Sequence, residues 1–140
     1  MLMKFLRFLL FPFSIIYRII TSIRNILFDK GALKSTSFKI PTIVVGNLSL
    51  GGTGKTPQIE YLIRLFKNEF RIAVLSRGYG RKTKGFLMLH AFSTADEVGD
   101  EPLQFFRKYS GITVAVDENR VHGISTLLTS ESPPEVVLLD

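Results

Sequence analysis

The sequence lacks cysteine altogether, and its first forty residues hold a single acid, Asp29. Without cysteine, neither a disulfide nor a thiolate metal site can form. Nothing in the composition therefore points away from a reducing, cytosol-facing compartment. With 46% hydrophobic and 21% charged residues among 140, the chain has the composition of one folded domain, with or without an appendage, and not of a disordered segment.

The excess positive charge is confined to the start of the chain. Residues 1–40 contain seven of the 18 basic side chains, whereas residues 41–140 contain eleven basic and eleven acidic ones. The same first forty residues hold six of the twelve phenylalanines. A basic segment rich in Phe, Leu and Ile favours an anionic membrane surface as its partner. The neutral remainder argues against a nucleic-acid partner.

The first 28 residues form an amphipathic pattern. From Lys4 to Asn25 the polar side chains recur on one narrow helical stripe, and almost all other positions are apolar. The pattern favours a helix over residues 1–28 that lies in the membrane interface. A buried helix and a span are the alternatives, and the longest charge-free run, Phe8–Tyr17, is shorter than the about 20 residues that a span needs. Pro12 predicts a kink or a second helical part.

Residues 29–40 read as a connector, and residues 41–140 as a globular domain. In that domain, short β-branched runs alternate with helical patterns, which predicts an α/β fold with a parallel sheet and flanking helices on both faces. Helices are predicted after the glycine-rich loop, from about Asp100, and over residues 119–129. The predicted strands are Thr42–Val45, Ile72–Leu75, Phe86–Leu89, Ile112–Val116 and Val136–Leu139.

The first predicted strand leads into a glycine-rich loop that is typical of a P-loop. Its glycines allow backbone N–H groups to approach phosphate oxygens, and the helix that follows presents its positive end. Lys55 can reach the β- and γ-phosphates and Thr56 can ligate Mg²⁺. The usual spacing has glycine where this chain has Ser49, but the core around Lys55 is richer in glycine than the motif requires. The predicted nucleotide-binding residues are Gly51, Gly52, Thr53, Gly54, Lys55 and Thr56.

Other polar groups fall where the carboxyl ends of parallel strands collect ligands. The basic loop Ser76–Lys82 is either a solvated turn or a segment that wraps an acidic group. Asp100 either caps a helix, which local physics favours, or orients an attacking hydroxyl. Arg120 either faces a phosphate or pairs with an acid. Asp140 ends an apolar strand, as a Mg²⁺-holding Walker B aspartate does.

Together these residues resemble the tetraacyldisaccharide 4′-kinase family of lipid A biosynthesis in Gram-negative bacteria. The likeness covers nearly the whole chain. The phosphate loop alone is not diagnostic, but its combination with the other motifs is highly specific. The matching segments are the N-terminal helix, Ile43–Pro57, Ser76–Arg81, Val98–Pro102 and the strand that ends at Asp140.

The resemblance implies a P-loop kinase that uses ATP and Mg²⁺ to phosphorylate the 4′-hydroxyl of an acylated glucosamine disaccharide 1-phosphate, giving lipid IVA. It places the protein at the cytoplasmic face of the bacterial inner membrane, with the lipid A precursor and the membrane surface as partners. It assigns catalysis to Lys55 and Asp100, the latter as the base, and metal binding to Thr56 and Asp140. The predicted substrate contacts are Arg77, Arg81, Glu101 and Arg120.

The resemblance also predicts that the chain is a fragment. The family's acidic motif continues past the position of Asp140, and the family's chains are longer, so residues 41–140 would be the N-terminal part of a kinase domain that is incomplete at its C-terminus and has little activity alone. The alternative function is that of a membrane-associated P-loop ATPase of the MinD or ParA type. Those proteins carry a lysine where this chain has Leu50.

Overall fold

The computed structural model describes residues 2–46 and 54–140, with side chains described for residues 10–46 and 54–140. The chain forms two compact units, Met1–Ser37 and Phe38–Asp140. The predicted nucleotide-binding residues Gly51, Gly52 and Thr53 lie outside the described residues.

The first unit is built on one long helix, α1 (Leu2–Asp29), which is continuous through Pro12. A separate second helical part does not form. The helix ends in a turn at the start of the predicted connector, where Gly31 has a φ of +70° and the N–H of Ala32 donates to the carbonyl of Leu27 at 2.9 Å. The large apolar side chains of its described part are mostly exposed, including Phe13 at 64%. Considered within the first unit alone, α1 therefore exposes a large apolar surface.

The second unit is a five-stranded sheet with helices on both faces. The elements are β1 (Thr42–Val44), α2 (Lys55–Phe66), β2 (Ile72–Ser76), β3 (Leu87–Met88), α3 (Ala95–Val98), α4 (Asp100–Lys108), β4 (Thr113–Val116), α5 (Arg120–Leu128) and β5 (Val136–Leu139). Strands β1, β5, β2 and β4 are parallel, in that order, and β3 pairs antiparallel with β4 at one edge.

The antiparallel strand departs from the predicted parallel sheet. The segment from β2 to β3 contains no helix that could carry the chain back across the sheet. A parallel connection needs such a crossover, so the chain leaves the carboxyl end of β2 and returns in the opposite direction. The other four strands confirm the α/β prediction.

The two faces of the sheet bury different helices. On β2, Val74 packs in one core cluster with Ile59 of α2 and Phe105 of α4. Its neighbour Leu75 packs in the other cluster with Ile124 of α5. Successive residues of a strand point to opposite faces, and each fully buried side chain of this size contributes on the order of 1.5–3 kcal/mol. The predicted helical layers on both faces are confirmed.

Candidate active site at the carboxyl edge of the sheet

A cavity of about 450 Å³ opens at the carboxyl ends of the parallel strands. We call it the phosphate cavity, because it contains the start of the helix that follows the glycine-rich loop. It brings together residues from six separate segments of the chain. Its lining residues are Val44, Val45, Gly46, Lys55, Ser76, Arg77, Tyr79, Glu101, Arg120 and Asp140.

Lys55 and Thr56 form the first turn of α2. The residue before them, Gly54, has a left-handed backbone with φ 82° and ψ 24°, a conformation that glycine adopts at little cost. The hydroxyl of Thr56 donates to Oε1 of Glu101, which belongs to the first turn of α4. The two helices thus meet through their N-terminal turns, where the helix dipoles favour negative charge.

Asp140 reaches the cavity because β5 is inserted between β1 and β2. Its backbone N–H donates to the carbonyl of Leu75 at 3.2 Å, and Oγ of Ser76 donates to its Oδ2 at 3.2 Å. Its Oδ1 is buried and has no hydrogen-bond partner within the described part of the chain. Burial raises the pKa of the Asp140 carboxyl, and the neighbouring carboxylate of Glu101 raises it further.

These oxygen atoms suit a hard divalent cation. Thr56, Glu101 and Asp140 supply one hydroxyl and two carboxylates, and the buried Oδ1 of Asp140 lacks a partner that such an ion would provide. In residues 2–46 and 54–140 there is no group of three or more His, Cys, Asp and Glu side chains that could hold a metal ion. One hydroxyl and two carboxylates nevertheless fit Mg²⁺, which protein sites bind through one or two carboxylates together with phosphates and water.

Positive charge also lines the phosphate cavity, through Arg77 and Arg120. Arg120 is the first residue of α5, and its Nη2 donates to the backbone oxygen of Asp140, while its Nε is buried without a described partner. Burial lowers the pKa of the Arg120 guanidinium, and the charge of Arg77 lowers it further. An anion between these two guanidinium groups would relieve their repulsion and satisfy the buried N–H.

Asp100 lies on a different side of α4 from Glu101. It is exposed and lines a second cavity of about 480 Å³, which we call the α4 groove. The side chains separate because successive helical residues point about 100° apart. The capping residue of α4 is Gly99, with no side-chain cap bond, and Asp100 is the first residue of the helix, where the helix dipole favours an acid. The lining residues of the α4 groove are Ala95, Asp100, Leu103, Gln104, Arg107 and Lys108.

Arg81 is not among the residues that line the phosphate cavity. Its side chain is 4% exposed, and its Nη2 donates to a carboxylate oxygen of Glu118 and, at 2.8 Å, to the carbonyl of Gly85. Lys82, the next residue, pairs with Asp96 of α3 at 2.6 Å. The basic loop is therefore held by hydrogen bonds and ion pairs to other segments and is not a freely solvated turn.

The basic loop also contacts the start of α4 through two glycines. Gly78 and Gly99 have φ values of +66° and +91°. A Cβ at Gly99 would lie 3.0 Å from the carbonyl oxygen of Tyr79 and 3.3 Å from the carbonyl carbon of Gly78. This backbone-to-backbone approach fixes the loop that carries Arg77 against the helix turn that carries Asp100.

Ser76, Tyr79 and Asp117 were not predicted as site residues. Ser76 is buried and bonds to Asp140, while Tyr79 is 98% exposed at the rim of the phosphate cavity. Asp117 is buried, accepts from the N–H of Asn119 at 2.8 Å and lies 2.6 Å from Nδ1 of His122. It thereby holds the first turn of α5. The signal in the sequence was their position in or just after the ends of strands β2 and β4, and Ser76 and Tyr79 also belong to the basic loop that the sequence analysis identified.

Known proteins are similar to this chain over nearly its whole length. A family model described as tetraacyldisaccharide-1-P 4′-kinase matches residues 6–140. A tetraacyldisaccharide 4′-kinase of Flavobacterium johnsoniae is 61% identical over 138 residues, which cover 99% of this chain and 41% of that protein. One from Bacteroides fragilis is 56% identical over 132 residues, covering 94% of this chain and 35% of that protein. The chain thus spans about two fifths or less of the length of these relatives.

A solved structure has the same fold. It is the crystal structure of the "apo" form of LpxK from Aquifex aeolicus in complex with ATP. Its sequence is 41% identical, and the two structures superpose with a TM-score of 0.79. The match covers 96% of this chain and 43% of that one.

Proposed function

Because the chain belongs to the tetraacyldisaccharide-1-P 4′-kinase family, we propose that the protein transfers the γ-phosphoryl group of ATP to the 4′-hydroxyl of a tetraacyldisaccharide 1-phosphate. The observation that carries this proposal is the phosphate cavity, which Lys55 lines together with two carboxylates and two arginines. Thr56 bonds to one of those carboxylates, Glu101. The solved relative binds ATP, which supports the choice of nucleotide. The alternative of a MinD- or ParA-like ATPase is not favoured, since the kinase family model extends over residues 6–140.

The cationic residues would bind and neutralise the triphosphate. Lys55 stands at the start of α2, where it would hold the β- and γ-phosphates together with the backbone N–H groups of that turn. Arg77 and Arg120 line the same cavity and would stabilise the negative charge on the transferred phosphoryl group. The buried Nε of Arg120 is the donor that would gain most from this contact.

Thr56, Glu101 and Asp140 are the residues that would hold Mg²⁺. When bound, this ion supplies positive charge against the β- and γ-phosphates. The hydrogen bond between Thr56 and Glu101 supports including the glutamate in the metal site in place of the substrate contact predicted for it. Ser76 holds the Asp140 carboxylate in place from the side of β2.

Asp100 would act on the acceptor from the α4 groove. It is the neighbour of Glu101, so the first turn of α4 carries one residue of each cavity. The 4′-oxygen forms a bond to the γ-phosphorus while the bond from that phosphorus to the β–γ bridging oxygen breaks. ADP leaves, and the proton of the 4′-hydroxyl passes to the Asp100 carboxylate.

The test is a substitution of the lysine in the full-length protein. Lys55→Ala should lower the transfer of labelled phosphate from ATP to the disaccharide 1-phosphate by at least about 100-fold, because the phosphates lose their main cation. The matched control is Lys84→Ala, which removes an exposed lysine outside both cavities and should leave the rate unchanged. Activity that survives Lys55→Ala would rule out the kinase proposal.

We also propose that α1 attaches the protein to the cytoplasmic face of the inner membrane. By length and composition alone, Leu10–Asp29 could cross a membrane. A single helix of this kind near the N-terminus is weak evidence for membrane attachment, so the proposal rests also on its exposed side chains. The guanidinium of Arg24 lies 4.9 Å from the ring centre of Phe28, so a cation and an aromatic ring are paired near the end of the helix. Such pairs suit the boundary between lipid and water.

Deleting residues 1–28 from the full-length protein should move it from the membrane fraction to the soluble fraction at low salt. The expected cause is the loss of the exposed apolar side chains together with basic charges that each contribute about 1 kcal/mol at an anionic surface. Sedimentation with vesicles that contain anionic lipid would measure the shift. A deleted protein that still sediments with the vesicles would show that another part of the chain binds the membrane.

A further inference from the structure

The α4 groove carries groups of opposite charge at its two ends. Except for Ala95, its lining residues all belong to α4, at spacings of three and four residues that place them on one face of the helix. Asp100 lies in the first turn, and Arg107 and Lys108 lie in the last. Leu103, which is 7% exposed, provides an apolar floor between the two ends.

The two basic residues of the groove differ in their partners. Nζ of Lys108 lies 2.7 Å from both carboxylate oxygens of Glu60, so much of its charge is balanced. Arg107 is exposed, and no ion pair involves it within residues 10–46 and 54–140. Gln104 donates its amide to Glu60 at 3.3 Å, which leaves its carbonyl oxygen to accept from a ligand hydroxyl. The groove therefore offers a hydroxyl acceptor in its middle and an unbalanced guanidinium at one end.

We infer that the α4 groove binds the disaccharide of the acceptor, with the reacting hydroxyl at Asp100 and the 1-phosphate at Arg107. This inference rests on the proposed function. Seven residues of helix separate Asp100 from Arg107, a rise of about 10 Å. Two linked pyranose rings span a similar length, and the acceptor named by the family carries its 4′-hydroxyl and its 1-phosphate on opposite rings.

The charges assign the direction of the acceptor. A phosphomonoester beside Asp100 would repel that carboxylate, whereas beside Arg107 it gains a bidentate, charge-assisted contact. The disaccharide would then lie over Leu103 and donate a hydroxyl to Gln104. Arg107 would then select acceptors that carry a phosphate on the sugar ring opposite the reacting hydroxyl.

The experiment compares Arg107→Ala with the unaltered full-length enzyme in neutral detergent micelles. With the disaccharide 1-phosphate, the KM of the acceptor should rise about tenfold, the loss expected for one charge-assisted contact, while kcat stays the same. With an acceptor that lacks the 1-phosphate, the two proteins should have equal KM values. Arg107→Lys should recover part of the affinity, and the control Lys84→Ala should leave it unchanged.

Several outcomes would overturn the inference. An unchanged KM, or an equal rise with both acceptors, would show that Arg107 does not bind the phosphate. A rise that appears only after anionic phospholipid is added to the micelles would assign the groove to a lipid headgroup instead. If the unaltered enzyme phosphorylated neither acceptor, the proposed function would fail and this inference with it.

Discussion

At the scale of single residues, the site contains charged groups that are poorly solvated without a ligand. Asp140 has a raised pKa because it is buried beside Glu101, and Arg120 has a lowered pKa because it is buried near Arg77. Each pair of like charges is unfavourable alone. A metal ion between the acids and phosphates between the arginines would remove both costs.

Gly99 is the residue whose size matters most for the geometry of Asp100. Gly99→Ala should destabilise the protein, since the new Cβ meets the backbone of Tyr79 at 3.0 Å and the backbone has a φ of +91°. We expect a loss of about 1–3 kcal/mol from the close contact, in addition to the cost of the positive φ. Urea unfolding would measure the sum of the two losses in the free energy of unfolding.

The control for this prediction is Gly111→Ala. Gly111 also has a positive φ, +79°, but a Cβ there would meet nothing within 4 Å. The control thus carries the backbone cost without the contact. Equal losses for the two variants would contradict the role assigned to the contact between Gly78 and Gly99.

The residue types of the site were predictable from the sequence more readily than their partners. Lys55, Thr56 and Asp140 were identified because a P-loop and an apolar strand ending in aspartate have recognisable spacing. Arg81 was predicted to contact substrate beside Arg77, but its guanidinium bonds to Glu118 and Gly85. That pairing depends on the close approach of two loops, which no local pattern encodes.

At the scale of elements, Glu60 connects α2 with α4. The hydrogen bond from Lys108 holds the pKa of the Glu60 carboxyl below its ordinary 4.5, and the same bond raises the pKa of Lys108 above 10.5. The stabilisation is therefore present above pH 4.5 and is lost as the pH falls through the lowered pKa of Glu60. On the alkaline side it is lost as the pH rises through the raised pKa of Lys108.

Glu60→Gln should accordingly lower the urea midpoint at pH 7, and the difference from the unaltered protein should shrink as the pH falls below 4.5. The matched control is Glu69→Gln, which changes an exposed glutamate just beyond α2 and should have little effect. A difference of the same size at pH 3 and pH 7 would indicate lost packing and not a lost charge pair.

The elements of the globular unit followed their sequence patterns closely. Val136–Leu139 was predicted at its observed bounds, and the helices near Asp100 and residue 119 were also confirmed. The four-residue helix α3 was missed because so short a segment has no measurable period. The antiparallel direction of β3 was missed for a different reason, since strand direction depends on the path of the connection and not on the strand itself.

At the scale of the whole molecule, ligand binding should stabilise the fold that brings the site together. We expect ATP with Mg²⁺, at 100 times its dissociation constant, to raise the free energy of unfolding of the full-length protein by about 2.7 kcal/mol. Urea unfolding with and without the nucleotide would measure this. Adenosine has no phosphates, so at the same concentration as ATP it should give far less stabilisation. Equal effects of the two ligands at that concentration would contradict the assigned phosphate cavity.

The insertion of β5 between β1 and β2 has a consequence for biosynthesis. In the described sheet, β1 pairs only with β5, although roughly ninety residues separate Val44 from Val136 in the chain. At about 5–20 residues per second, a ribosome needs on the order of 5–20 seconds to make that stretch. Throughout this interval the strand that precedes the nucleotide loop has no partner strand, and β2, once it has been made, exposes the edge that β5 later covers. The strand β5 thus joins β1 to the rest of the described sheet and brings Asp140 to the phosphate cavity in the same step.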